Sequence, residues 1–199
     1  MNSTIRYGHG IPTEAELRLL GDLAGGKRAL ELGVSEHQNA IAFAIAGAKA
    51  LAVDPDPEAI DQLRKAVTKA DEEAQHTSGD PVRVECHVVS DLADLGFATS
   101  GSISAVLANH TLDAVDDLPR VLRQVHRVLR PGHPFVISMV HPYAHVPARP
   151  YGTAGRTIGD WFTHLARTNF RIDQLLELGV SESSPAPTAL IIRARKEGD

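Results

Sequence analysis

Cysteine is nearly missing from these 199 residues: Cys86 stands alone, which rules out an internal disulfide framework and fits a reducing cytoplasm. Long apolar runs are missing too, so no segment approaches the length of a membrane span and no membrane association is expected. The opening Met1-Asn2-Ser3-Thr4-Ile5-Arg6 lacks the apolar core of a secretion signal. Positive charge is in deficit. Twenty Lys and Arg face 25 Asp and Glu, and a net charge of −5 argues against nucleic acid as a partner. The ten histidines contain no HExxH spacing, so metal chemistry is unsupported and no metal ligand is named. No repeat or low-complexity tract is visible. What remains is ordinary: 43% hydrophobic and 23% charged residues in a length suited to one domain, residues 1–199.

One stretch organises the chain. Arg28 to Leu32 reads as a short apolar strand, Gly33 as a tight turn, and Ser35 as the start of a helix. Ser35 and Gln38 have the spacing of a capping box. Ala40, Ile41, Ala44, Ile45 and Ala48 then recur at helical spacing, giving one apolar face to lay on a sheet. A second strand, Lys49 to Val53, ends in Asp54. This acid follows Glu31 by 23 positions, where a nucleotide ribose would meet it in a βαβ unit.

These residues resemble the class I S-adenosylmethionine-dependent methyltransferases. Glu31-Leu32-Gly33 and Gln38-Asn39-Ala40 fit the first motif of that family, whose second and third glycines are here Ser35 and His37. Val128-Leu129-Arg130-Pro131-Gly132 ahead of a strand is a further likeness, with His133 where a second glycine is usual. The resemblance implies an α/β, Rossmann-like three-layer sandwich. Its sheet would be seven-stranded and mostly parallel, with an antiparallel C-terminal edge hairpin. It implies S-adenosylmethionine as cofactor, held by Tyr7, Glu31, Gly33, Ser35, Asn39, Asp54, Pro55, Asp91, Leu92 and Asn109. Within that set Tyr7 would close over the cofactor, or merely cover the core edge. Asp91 would accept a hydrogen bond from the adenine amino group, or else cap the following turn.

The rest of the chain follows the same plan. Thr13 to Glu16 forms a capping box before a helix striped by Leu17, Leu20 and Leu23. Asp56 caps a helix with Pro57 in its first position, and the polar stretch from Glu73 to Asp80 is a loop. Strands are expected at Pro81 to Val89, Ser102 to Asn109 and Pro134 to Val140. A helix from Asp116-Asp117-Leu118-Pro119 carries Arg120, Arg123, Arg127 and Arg130 on a solvated face. Residues 144–155 make a Pro/Gly-rich wall or lid over substrate. Arg156 to Leu165 suits a short helix or an extended segment equally. From Thr168, Ile172, Leu175, Leu176 and Leu178 read as a helical stripe stopped by Gly179. Val180 to Ser183 and Thr188 to Arg195 then close the sheet as a hairpin.

Methyl transfer from a sulfonium asks the protein chiefly to position a nucleophile and exclude water. If the acceptor atom is oxygen or nitrogen, a proton must leave. His110 and His141 are the candidate catalytic residues, because both follow strand ends on the reacting side, although either can equally be bonded to loop backbone. The expected partner is a small-molecule acceptor, and a homodimer is left open. The alternative is a non-catalytic binding protein on the same fold, its cofactor loop degenerate. A dinucleotide oxidoreductase is disfavoured by the missing glycines and by Glu36 at the helix end.

Overall fold

A computed structural model describes residues 4–77, 79–145, 150–153, 155–180 and 186–198. Seven strands form one sheet in the order β3-β2-β1-β4-β5-β7-β6. They are β1 (Arg28–Leu32), β2 (Lys49–Asp54), β3 (Val84–Val88), β4 (Ala105–Asn109), β5 (Pro134–Val140), β6 (Phe170–Leu178) and β7 (Ala189–Lys196). The first five run parallel, while β7 pairs antiparallel with both β5 and β6. The strand order reverses between β1 and β4, and open α/β sheets place their ligands outside the carboxyl ends of the strands at such a point.

Side-chain alternation along the strands builds the three layers. Leu30, Leu32, Leu51, Val53, Val106 and Ile137 face one side, where α4 (Leu118–Val128) and α5 (Ile158–Arg167) bury Val121, Leu122, Trp161 and Leu165. Ala29, Ala50, Ala52, Leu107 and Val136 face the other. There they meet the N-terminal segment with α1 (Glu14–Leu17), α2 (Asn39–Ile45) and α3 (Pro57–His76). Small alanines in β1 and β2 let α2 lie close to the sheet.

Local caps fall largely where the residues place them. The Asp56 carboxylate accepts from the Glu58 amide at 2.8 Å with Pro57 at the helix start, and Thr13 and Thr157 each form capping boxes. Three expectations change and one open reading is settled. First, α1 stops at Leu17 because Arg18 turns left-handed and the Glu14 carboxylate takes the Leu19 and Leu20 amides, each at 2.8 Å. Second, α3 runs to His76, through the first half of the stretch expected to be a loop. Third, the segment 158–167 is a helix, as one of its two readings had it. Fourth, the expected helix after Thr168 is instead strand β6, so the hairpin's first arm is Phe170–Leu178 rather than Val180 to Ser183. Residues 181–185 lie outside the described ones.

Candidate active site

Glu31 is the buried hub of the strand-turn-helix unit. Fully enclosed, its Oε1 accepts from the Ser35 amide (3.2 Å), the Ser35 hydroxyl (2.8 Å) and the Asn39 amide (3.1 Å), while Oε2 accepts from the Ala40 amide (2.8 Å). Burial pushes its carboxyl above the usual range, and the four donors pull against that shift. This corrects the expected Ser35–Gln38 box: helix α2 begins at Asn39, Gln38 is left-handed, and a carboxylate from the strand caps the helix.

Gly33 has φ +79°, and a Cβ there would lie 2.5 Å from the Thr111 side chain. The Thr111 hydroxyl donates to the Leu32 carbonyl at 2.6 Å, so this side chain crosses the β1–β4 crevice directly above the glycine. Ser35 is buried beneath the loop with its hydroxyl committed to Glu31. His37 stacks edge-on against His9, ring centroids 5.2 Å apart, and lies 3.7 Å from the Glu36 carboxylate. Burial pushes its imidazole below the ordinary value, with Glu36 opposing.

The N-terminal segment forms a wall of this region through its backbone. Asn39 holds Arg6 by two bonds, accepting from its amide at 2.8 Å and donating to its carbonyl at 3.0 Å. Asn109 donates to the same carbonyl at 3.3 Å, which fixes its amide orientation and leaves Oδ1 buried with no partner. The Tyr7 carbonyl accepts from the Ser138 hydroxyl at 2.6 Å and from His110 Nε2 at 3.1 Å. The Tyr7 ring itself is packed in the core, its hydroxyl on Glu14, and burial pushes the phenol well above its usual range. Tyr7 therefore contributes main chain here rather than an aromatic lid.

Asp54, at the end of β2, accepts from the Val34 amide at 2.7 Å and the Asp56 amide at 2.8 Å, which locks its carboxylate against the glycine turn. Asp91 both caps its turn, accepting from Ala93 at 2.7 Å, and pairs with Arg120 at 2.9 Å. Beside them opens a hollow of about 400 Å³, with Pro55, Asp91, Leu92, Thr111 and Val115 among its lining residues and Arg120 at its edge. Ser35 and His37 are not part of its lining, so the replaced glycines do not fill it.

The two candidate histidines differ. His110 is exposed and left-handed, at φ 58°. Because a carbonyl can only accept, its Nε2 carries the proton toward Tyr7, and Nδ1 keeps a lone pair in the neutral ring. His141 is buried and engaged at both nitrogens: the Tyr143 amide donates to Nδ1 at 3.1 Å, and Nε2 lies 2.9 Å from a Glu177 oxygen. It fits the alternative reading, a histidine bonded to loop backbone. Among the described residues no cluster suits a metal ion, and no helix is long and apolar enough to cross a membrane.

A methyltransferase-domain family profile matches residues 30–137, more than half of the chain. The chain belongs to the class I S-adenosylmethionine-dependent methyltransferases. The human thiol S-methyltransferase TMT1B is 33% identical over 131 residues, 65% of this chain and 47% of that protein. The chain thus spans about half the length of this relative. An S-adenosylmethionine-dependent methyltransferase from Mesorhizobium loti shares the fold with a TM-score of 0.71 at 22% identity, covering 92% of this chain and 96% of its own. One from Listeria monocytogenes gives 0.70 at 19% identity, with 92% and 95% covered.

S-adenosylmethionine is the cofactor that goes with this membership, and the methyltransferase's own residues fit it. The hollow beside Asp91 offers Leu92 and Val115 as apolar walls for an adenine ring, and the Asp54 carboxylate suits a ribose diol. The orphaned Asn109 Oδ1 is an acceptor suited to the ammonium of the methionine end. Reading the sequence missed two members of the site. Thr111 is brought to Gly33 only by the β1–β4 pairing, and Arg120 reaches Asp91 from a row of arginines that looked merely solvated. Another member of that row, Arg127, ties the carbonyls of Leu95 and Ala98 at 2.8 and 2.9 Å.

Proposed function

We propose that this methyltransferase transfers a methyl group from S-adenosylmethionine to an oxygen or nitrogen atom of a small-molecule acceptor. The observation that carries the reading is the pair of strand-end acids, Asp54 and Asp91, beside an open hollow of about 400 Å³ on the carboxyl side of the sheet. When bound, the cofactor supplies the electrophilic methyl group, and the protein is left to orient the acceptor and receive its proton. His110 is the residue for that proton, through the lone pair on Nδ1, with the Tyr7 carbonyl holding the ring in the required tautomer. His141 positions the loop after β5 instead. A cytoplasmic enzyme without nucleic-acid or membrane partners is part of the same reading.

The named activity of the human relative adds a thiol to the acceptors worth testing. A thiol ionises near neutrality far more readily than a hydroxyl, so it needs less help from a base. Release of S-adenosylhomocysteine, measured over hydroxyl, amine and thiol compounds, tests the proposal. With a hydroxyl acceptor, His110→Ala should lower kcat about 100-fold with little change in cofactor affinity. His141→Ala should leave kcat within a few-fold of the parent while lowering the melting temperature. The reverse pattern would move the base to His141.

A second reading, a non-catalytic protein on this fold, is favoured by one feature. The Thr111 side chain packs on Gly33 and narrows the approach to the turn backbone. Cofactor binding separates the two.

A further inference from the structure

At the opposite end of the parallel strands, away from Asp54 and Asp91, lies a second hollow of about 310 Å³. Its wall includes Arg18, Lys27, Ser104, His133, Arg193 and Arg195. The fold gathers these residues from five places. Lys27 and Ser104 immediately precede β1 and β4, and His133 precedes β5. Arg193 and Arg195 alternate along β7, opposite Val136 and Pro134 of β5, on the face that also carries Ile191. Arg18 joins them from the left-handed turn that ends α1.

Charge is concentrated here in a chain of net −5. Four permanent cations face two carboxylates, with a third, Glu14, behind the wall on the Leu19 and Leu20 amides. Asp22 pairs with Lys27, and Asp173 is shared by Arg193, at 2.7 and 3.0 Å, and Arg195, at 2.6 Å. Burial would raise the Asp173 carboxyl, but the two arginines carry it below its ordinary value, so it stays ionised and holds both guanidiniums in place. The Arg18 guanidinium is exposed and makes no hydrogen bond among the described residues. One polar group in the wall is also orphaned: Ser104 is 4% exposed, and its hydroxyl has no hydrogen-bond partner. Such a buried donor next to fixed guanidiniums is a feature that a ligand oxygen would satisfy.

We propose that this hollow is a binding site for a phosphate-bearing anion, separate from the methyl-transfer site. The clamped Arg193 and Arg195 form one wall, Arg18 closes over the anion, and the Ser104 hydroxyl donates from the floor. A compact anion matches the positive excess that remains after Asp22, Asp173 and the neighbouring Glu14 are counted. Guanidinium forks suit phosphate oxygens better than isolated ammonium groups do.

The test is calorimetric titration of the full chain with inorganic phosphate, and in a parallel arm with ribose 5-phosphate, at ionic strength held constant with chloride. Saturable binding is expected in at least one arm, and the tighter arm says whether the ligand is the free anion or a phosphomonoester. Arg18→Gln, which breaks no hydrogen bond among the described residues, should weaken binding at least 10-fold. Ser104→Ala, nearly isosteric, should weaken it about 3-fold. Both variants should melt within about 2 °C of the parent without phosphate. Binding in neither arm, or affinities unchanged in both variants, overturns the proposal. S-adenosylmethionine affinity in these variants should equal that of the parent, so failure here is distinct from failure at the other end of the sheet.

Discussion

Glu31→Ala should lower the unfolding free energy by about 4 kcal/mol, enough to leave much of the chain unfolded at 37 °C. The estimate follows from what the carboxylate holds: three backbone amides and one hydroxyl, all buried, with no route to water. Each orphaned donor costs about 1–3 kcal/mol, and the costs do not simply add because neighbours share the relaxation. Glu31→Gln is the informative control. It keeps the volume and one carbonyl oxygen, but its NH₂ group must face a donor, the Ala40 amide or the Ser35–Asn39 group. A loss of about 2 kcal/mol is expected. Urea denaturation with a common m-value reads both. No loss in Glu31→Gln beside a full loss in Glu31→Ala would mean that volume, not hydrogen bonding, is what Glu31 contributes.

Gly33→Ala should cost about 3 kcal/mol through two separable causes. A left-handed residue with a Cβ costs about 1 kcal/mol. The remainder is overpacking, because that Cβ would sit 2.5 Å from both Cβ and Cγ2 of Thr111. Thr111→Ala, which keeps its own Cβ, should relieve little of this clash. Thr111→Gly should recover most of the overpacking but none of the backbone strain. A double-mutant cycle should therefore give a coupling of about 1–2 kcal/mol for the glycine variant and near zero for the alanine variant. Coupling of similar size in both would place the clash on Cγ2 and the hydroxyl instead.

Much of the architecture was legible in the chain because it is written in local spacing. The Asp56-Pro57 helix start, the apolar β4 and β5, and the acid at the end of β2 are each fixed by residues within a few positions of one another. The failures share a different cause. Ser35 and Gln38 are spaced as a capping box, but a carboxylate four residues upstream is a stronger acceptor and takes the helix amides. Glu14 does the same to the end of α1. In β6, a bulge between Ile172 and Gln174 shifts the register, so Ile172 packs on one core and Leu176 and Leu178 on the other. That phase change breaks the period of two and mimics a helical stripe. At the site, Asp54 and Asn109 could be named from strand ends, whereas Thr111 could not. Its contact with Gly33 spans α2, β2, α3, β3 and β4, and no local pattern encodes it. The Tyr7 ring follows the second of its two readings, and sequence position alone could not choose between them, since it does not say that Glu14 will bind the hydroxyl and hold the ring in the core.

The central claim is that a nucleoside sulfonium lies across the ends of β2, β1 and β4 although Ser35 and His37 replace glycines. Isothermal titration of the purified chain with S-adenosylmethionine, beside Asp54→Ala, measures it most directly. Saturable binding at micromolar ligand is expected, weakened at least 30-fold (about 2 kcal/mol) in the variant by loss of the ribose acceptor. No heat and no thermal shift at millimolar ligand, or equal affinity in the two proteins, would contradict the account.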